Sequence, residues 1–98
     1  MYENKQAKLG TNRGNRRVWL QAKWLINAGF PRGTGYKIEY SRQLVTITRC
    51  DRNPTRRVAG AGDRPIIDIN TKQLGDSLGD VDTVSVAAEN GQITIRSN

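Results

Sequence analysis

Arginine is the residue type whose chemistry and placement are most informative in this chain. The 98 residues include 16 Lys and Arg against 9 Asp and Glu, which gives a net charge of +7. Residues 1–57 carry thirteen basic and three acidic residues (+10), whereas residues 58–98 carry three basic and six acidic ones (−3). A guanidinium group presents a planar fork of donors that matches phosphates and base edges. We therefore expect the basic part of the chain to attract a polyanion, although a solvated basic face is the alternative.

The candidate nucleic-acid-binding residues follow from this charge pattern. The stretch 12–17 (NRGNRR) has the composition of a flexible basic loop that can track phosphates, and a disordered tail is the alternative. Trp19 alternates away from Val18 and Leu20, so its ring can stack on a base or fill a partner's pocket. Packing under a loop or at a domain seam is the alternative. The full set of candidates is Arg13, Arg16, Arg17, Trp19, Arg32, Lys37, Arg42, Arg49, Arg52, Arg56 and Arg57.

Several kinds of catalytic site are excluded by what the sequence lacks. Histidine is absent and Cys50 is the single cysteine. No Ser–His or Cys–His nucleophile pair can form, and a zinc site lacks its soft ligands. The glycine-rich stretches 33–35 and 60–62 lack the Lys-Ser/Thr ending of a phosphate-binding loop. We predict a protein that is not an enzyme and that uses no cofactor and no metal.

The composition also predicts the compartment. One unpaired thiol fits a reducing environment. The sequence has no run of about 18 apolar residues, and it opens without the pattern of a secretory leader. We expect a cytoplasmic protein with no membrane partner.

The order of predicted elements repeats along the chain at an offset of about 48 residues. A short strand, a short helix and an alternating hairpin occur first over 16–49 and again over 65–96. Val45-Thr46-Ile47 then corresponds to Ile93-Thr94-Ile95. Asn70, with Gln73 three residues later, has the pattern of a capping box for the second helix.

The repeat predicts the domain organisation. Residues 1–12 are polar and without periodicity, which indicates a flexible N-terminal arm. Residues 13–98 form a single domain of repeat 1 (15–49), a basic Gly/Pro linker (50–63) and repeat 2 (64–98). A unit of about 35 residues cannot bury one apolar face alone. We expect a mainly β fold with two short helices, in which the two units close on each other as a barrel.

The first unit resembles a known family. The residues that carry the likeness are Lys23-Trp24-Leu25, Ala28-Gly29-Phe30, Gly33 and the hairpin over 36–48. Residues 15–49 are similar to the SymE-type branch of the AbrB/MazE swapped-hairpin superfamily, with a degenerate second copy at 64–96. The resemblance implies a pseudo-symmetric swapped-hairpin β-barrel built from two β-α-β-β repeats, either as a monomeric pseudo-dimer or as a homodimer. It also implies DNA binding by basic residues of one face and its loops.

Three functions are compatible with these observations. The first is a small transcription regulator or antitoxin-like factor that binds duplex DNA, in preference to RNA, through arginine–phosphate contacts. The second is a phage- or plasmid-encoded, anti-defence inhibitor that binds a host nucleic-acid enzyme. The reason is that the chain is small and has a strongly basic first part and an acidic second part. The third, suggested by the SymE likeness, is a toxin acting on RNA. The acidic second half departs from the symmetric homodimeric pattern of the family.

Overall fold

Alternating apolar and polar residues form the central strands of the protein. In the computed structural model, which describes residues 3–21, 23–61 and 63–97, Val45, Ile47, Ile93 and Ile95 are fully buried. The first half contains β1 (Glu3–Lys8), β2 (Gly10–Asn12), β3 (Asn15–Gln21), α1 (Trp24–Asn27), β4 (Gly35–Ser41) and β5 (Leu44–Arg49). The second half contains β6 (Arg56–Arg57), β7 (Ala59–Ala61), β8 (Arg64–Asn70), α2 (Lys72–Leu78), β9 (Thr83–Glu89) and β10 (Gln92–Ser97).

The strands form two antiparallel sheets. The six-stranded sheet has the order β1-β9-β10-β5-β4-β6, and the four-stranded sheet has the order β2-β3-β8-β7. The chain crosses between the sheets at Leu9, which joins β1 to β2, and at Val58, which joins β6 to β7. Both residues are buried. They therefore form two corners where a strand leaves one sheet and enters the other.

The predicted closed barrel is wrong, whereas the mainly β fold with two short helices is confirmed. Within residues 3–21, 23–61 and 63–97, no ladder joins the two edge strands of either sheet. β1 and β6 lie at opposite edges of the six-stranded sheet, and β6 is only two residues long. The apolar rows of the two sheets face each other across one core, which includes Val18, Ile67 and Ile69 of the smaller sheet.

The strand registers repeat along the chain. Adding 49 to each residue of the pair Gly10↔Arg17 gives Ala59↔Ile66, which is the pair seen between β7 and β8. The hairpin pair Tyr36↔Arg49 becomes Val84↔Ser97 when 48 is added, and that pair is also present. The repetition therefore extends beyond the predicted units and includes the strands that precede each of them.

Each helix contacts the hairpin of the other half. The Gln43 amide at the β4–β5 turn donates to the Ser77 carbonyl of α2 at 2.8 Å. The Gly91 amide at the β9–β10 turn donates to the Ala28 carbonyl at the end of α1 at 2.7 Å. Gln43 and Gly91 both have positive φ, at 62° and 82°. The halves thus hold each other through equivalent hydrogen bonds, as well as through the β3–β8 and β5–β10 ladders.

Two segments predicted to be irregular contain strands. The N-terminal arm includes β1 and β2, and β1 pairs with β9 from Glu3↔Ala88 to Lys8↔Thr83. The linker includes β6 and β7. β1 is polar because it lies at a sheet edge, so its sequence lacks the alternation that marks a half-buried strand.

The cap of α2 also differs from the prediction. Thr71 is the N-cap, and its Oγ1 accepts from the Leu74 amide at 3.2 Å. The Asn70 side chain is used elsewhere: its Nδ2 lies 3.0 Å from the Arg16 carbonyl and 3.3 Å from the carbonyls of Asn12 and Asn15. Asn70 therefore fixes the β2–β3 hairpin instead of the helix.

No helix in the described part of the chain is long and apolar enough to cross a membrane.

Gly60 gives a test of the corner between β6 and β7. Its φ is +98°, and a Cβ there would lie 2.2 Å from the Arg64 carbonyl oxygen. We expect Gly60→Ala to lower the free energy of unfolding by at least about 3 kcal/mol, because backbone strain adds to a backbone clash. Chemical denaturation followed by circular dichroism measures the change.

Gly14→Ala is the matched control, since Gly14 also has a positive φ (+83°) but nothing lies within 4 Å of the added Cβ. The control should cost about 1 kcal/mol from strain alone. Equal losses for the two variants would contradict the described packing at Gly60.

Candidate nucleic-acid interface

Basic side chains gather where β4 begins, next to β6. We call this set the β4–β6 cluster: Arg32, Lys37, Arg49, Arg52, Arg56 and Arg57. Two of its members tie the turn before β4 to the second corner. Arg32 Nε donates to the Gly60 carbonyl at 2.8 Å, and Arg57 Nη1 donates to the Gly33 carbonyl at 3.2 Å.

Strand pairing positions the rest of the cluster. Tyr36 of β4 pairs with Arg49 on one side and with Arg56 on the other. Gly35 pairs with Arg57. The loop after β5 returns to the same place, because the Cys50 amide donates to the Gly35 carbonyl at 2.9 Å. Six cationic side chains from five segments (the turn before β4, β4 itself, β5, the loop after β5, and β6) therefore lie around the first residues of β4.

Glycine at position 35 allows this close approach. A Cβ there would lie 2.6 Å from the Cys50 carbonyl oxygen and 2.7 Å from Cβ of Pro54. In the same loop, the Cys50 thiol lies 2.8 Å from the Arg52 carbonyl oxygen. The loop 50–55 thus packs flat against β4 and holds Arg52 beside the strand.

Most of the cluster has no acidic partner among the described side chains. The Arg49 guanidinium lies 3.9 Å from Asp51, and both side chains are exposed. Among residues whose side chains are described, no carboxylate lies within ion-pair distance of Arg32, Arg52, Arg56 or Arg57. Bonds from Arg32 and Arg57 to backbone carbonyls orient these groups without removing their charge. The cluster therefore presents fixed positive charge to solvent.

Tyr36 lies buried within the cluster. Desolvation raises the pKa of its hydroxyl above the usual 10.0, and the nearby positive charge of Arg56 opposes part of that rise. The direction is a net increase. Tyr36 is therefore an uncharged, buried residue that lies between the flanking arginines Arg49 and Arg56.

Arg16, predicted to contact nucleic acid, holds the fold together. Its Nη2 donates to the carbonyls of Leu9, at 3.2 Å, and of Val81, and its Nη1 lies 3.7 Å from Asp80. Its Nε is buried without a hydrogen-bond partner in the described part of the chain. Arg16 thus joins the first corner to the loop after α2, and these contacts occupy its terminal nitrogens.

Arg17 is paired with an acidic residue from the other half. Its Nε and Nη2 donate to the two carboxylate oxygens of Asp68 at 2.9 and 3.0 Å, and this hydrogen bonding raises the pKa of Arg17. The guanidinium also lies 4.6 Å from the centre of the Trp19 ring. Asp68 is the residue that sequence analysis missed, because it lies far along the chain and no local pattern marks it.

Trp19, Arg13 and Arg42 lie apart from the β4–β6 cluster. Trp19 is 45% exposed on the outer face of the four-stranded sheet, where its Nε1 donates to Gln21 at 3.2 Å. Arg13 is at the exposed β2–β3 turn, with a φ of +53°. Arg42 is at the β4–β5 turn and faces α2. The structure thus gathers six of the eleven candidates and separates the others into distinct places.

No group of three or more metal-ligating side chains occurs in the portion of the chain that the structure describes. Comparison with protein-family models, curated proteins and solved structures finds no match to the chain.

The different roles of Arg16 and Arg13 can be measured. We expect Arg16→Ala to lower the free energy of unfolding by about 1–3 kcal/mol, because two part-buried hydrogen bonds to carbonyls are lost. Arg13→Ala should change it by less than about 0.5 kcal/mol, since Arg13 is on an exposed turn. A thermal or urea unfolding series checks both. Similar effects for the two variants would show that Arg16 does not hold the corner.

The pKa of Tyr36 gives a second test. Since the folded-state pKa is raised, the stabilising contribution is complete below about pH 10 and is lost as pH rises through the folded value. Tyr36→Phe should flatten the fall in stability between pH 9 and 11.5. Arg56→Ala should raise the Tyr36 pKa further, because it removes a neighbouring positive charge. Absorbance at 295 nm, taken as a difference from Tyr36→Phe, measures the pKa. A Tyr36 pKa below 10 would contradict this environment.

Proposed function

We propose that this protein binds duplex DNA without catalysing a reaction, and that the β4–β6 cluster contacts the phosphates. The observation that carries the proposal is the convergence, at the start of β4, of four arginines that have no acidic partner among the side chains that the structure describes. Arginine donors that are already oriented lose less side-chain freedom when a phosphate binds. The predicted role as a small regulator or antitoxin-like factor is compatible with this site.

The geometry favours a surface contact with a backbone over an enclosed ligand site. Arg32 lies in the turn before β4, Arg52 in the loop after β5, and Arg57 on an edge strand. All three are exposed. Exposed cations on turns and a sheet edge can contact the phosphates of a duplex, and such contacts position a protein on DNA without reading its sequence.

We further propose that the chain is a swapped-hairpin duplication of the AbrB/MazE type. The support is the repeated register at offsets of 48 and 49, and the equivalent bonds from each helix to the turn of the other half. The equivalents of Arg52, Arg56 and Arg57 are Glu3, Ala7 and Lys8. The two halves are therefore unequal in charge. We propose that only the surface that carries the β4–β6 cluster contacts DNA, and that the equivalent surface of the other half does not.

The two other functions remain alternatives. An inhibitor of a host nucleic-acid enzyme would use the same basic cluster against an acidic protein surface. A SymE-like toxin would act on RNA, and with histidine absent it would depend on Arg, Lys, Tyr and carboxylate groups. The experiment below includes RNA and single-stranded DNA for this reason.

A salt titration of DNA binding tests the proposal. For about six phosphate contacts, the plot of log affinity against log salt has a slope near −5. Arg52→Ala combined with Arg57→Ala should make that slope shallower by about 2 and weaken binding uniformly across duplex sequences. Fluorescence anisotropy with labelled duplex, single strand and RNA between 50 and 200 mM salt measures both quantities.

The matched control removes the same amount of charge elsewhere. Lys8 is the equivalent of Arg57 in the other half, and Lys72 is exposed on α2. Lys8→Ala combined with Lys72→Ala should leave the slope within experimental error of the parent. Equal effects of the two double variants would show that net charge, and not the β4–β6 cluster, determines binding. A slope near zero would contradict phosphate contacts altogether.

A further inference from the structure

In the six-stranded sheet, β9 pairs with the edge strand β1 and β4 pairs with the edge strand β6, but the two pairings differ in length. β1 pairs with β9 over six residues, from Glu3↔Ala88 to Lys8↔Thr83. β6 pairs with β4 at two positions only, Gly35 and Tyr36. The remainder of β4, from Lys37 to Ser41, has no strand on that side within the described chain.

The exposed part of β4 offers backbone groups in the right direction for a further strand. Gly35 bonds toward β5, since its carbonyl accepts from the Cys50 amide, and Tyr36 bonds away from β5, since its carbonyl accepts from the Thr55 amide at 3.0 Å. Because these directions alternate along a strand, Ile38 and Tyr40 also point their N–H and C=O groups away from β5. Their equivalents on the other side, Val86 and Ala88, are paired with Lys5 and Glu3 of β1.

The sequence explains why β6 does not pair with β4 beyond Tyr36 in the described chain. The position equivalent to Lys5 of β1 is Pro54, which has no N–H to donate. Asn53 before it has a φ of +48°, so the backbone turns instead of continuing as a strand. The ladder between β6 and β4 therefore stops at Tyr36, and Ile38 and Tyr40 are left at an open edge.

A cavity lies beside this open edge. It has a volume of about 360 Å³ and lies between β4 and α2, lined by Tyr40, Ser41, Arg42, Gln73, Asp76 and Ser77. The α1 residue equivalent to Gln73 is Trp24, and Lys5 of β1 lies 5.7 Å from the centre of that ring. The cavity thus corresponds to a position that a strand fills in the other half of the molecule.

The side chains around the edge define the chemistry of a ligand. Ile38 and Tyr40 face inward and are half-buried, so alternate residues of an added strand should be apolar to cover them. On the outer side of β4, Lys37 and Glu39 are both exposed. The intervening residues of an added strand would lie opposite them, so an acidic residue should face Lys37 and a basic residue should face Glu39.

We propose that the open edge of β4 binds an extended peptide strand in which apolar residues alternate with charged ones, a basic residue opposite Glu39 and an acidic residue opposite Lys37, running antiparallel to β4 as β1 runs to β9. Main-chain hydrogen bonds to Ile38 and Tyr40 would supply affinity, and the alternating side chains would supply selectivity. This site shares Lys37 with the β4–β6 cluster but differs from the phosphate-binding proposal, because it requires backbone pairing and the cavity beside α2.

A second copy of the chain fits this edge less well. If two β4 strands paired antiparallel so that Ile38 of each faced Tyr40 of the other, Glu39 would lie directly opposite Glu39 of the second copy. Like charges placed opposite each other across two strands are destabilising. The single acidic residue in the middle of the edge thus favours a different chain as the occupant.

Amide exchange and chemical shifts of the intact protein test the proposal. The probe is an acetylated and amidated octapeptide, Val-Thr-Val-Lys-Val-Glu-Val-Thr, which places its Lys opposite Glu39 and its Glu opposite Lys37 when it pairs antiparallel to β4. At saturating peptide, the amides of Ile38 and Tyr40 should shift and exchange at least tenfold more slowly. The amides of Val86 and Ala88 should not change, because β1 already pairs with them. Lys37→Glu should weaken binding about fivefold, whereas Lys8→Glu on β1 should not.

Three controls decide the result. A peptide with N-methyl groups on the amides that face β4 cannot pair, so its binding with equal affinity would overturn the proposal. Slowing of Ile38 and Tyr40 exchange with rising protein concentration in the absence of peptide would show a second copy at the edge, and would also overturn it. Peptide binding that persists when DNA binding is lost in the Arg52→Ala and Arg57→Ala double variant would support it, and keeps the two proposals distinguishable. Absence of any shift at millimolar peptide would refute it.

Discussion

The fold depends on a requirement that neither half of the chain can meet alone. Each hairpin has one apolar row, and a hairpin of this size cannot bury that row by itself. β5 therefore pairs with β10, and β3 pairs with β8. These two ladders join the halves in both sheets, and the buried rows meet in one core. The reciprocal bonds between each helix and the opposite turn follow from the same arrangement.

Because the halves are joined in this way, small sequence differences between them decide which sheet edge is paired and where positive charge lies. Where the first half has Lys5, the second has Pro54, and one edge of the larger sheet is covered while the other is left partly open. Where the first half has Glu3 and Ala7, the second has Arg52 and Arg56. Strand registers recur at offsets of 48 and 49, but hydrogen-bonding capacity and charge at the corresponding positions differ. Both proposals made above depend on these substitutions at equivalent positions.

Sequence patterns predicted the parts of the fold that are determined locally. The hairpins β4–β5 and β9–β10 follow from alternation and from turn residues such as Asn90-Gly91. The edge strands β1 and β6 could not be found in this way, because a polar edge strand pairs with residues distant in the chain and needs no alternation. The same reason applies to Asn70, whose side chain bonds to three carbonyls of a hairpin 54 to 58 residues away.

Which of the basic residues lie together could not be predicted from the sequence. Composition identified arginine as the informative residue, and six of the eleven predicted residues do lie together. Arg17 and Asp68 are 51 residues apart in sequence, so their pairing depends on the β3–β8 register. The Arg16 guanidinium likewise donates to the Leu9 carbonyl, at the corner between β1 and β2. A basic stretch can therefore contribute to stability, and only the fold distinguishes such residues from those that remain exposed.

Native-state hydrogen exchange is the most direct test of the claim that the two halves form one interdependent unit. The account predicts that the slowest amides of β5 and β10, such as those paired around Thr46↔Thr94, exchange with the same free energy as those of β3 and β8. That free energy should equal the global free energy of unfolding. If residues 3–49 instead exchanged with a free energy clearly different from that of residues 56–97, the halves would unfold separately and the account would be contradicted.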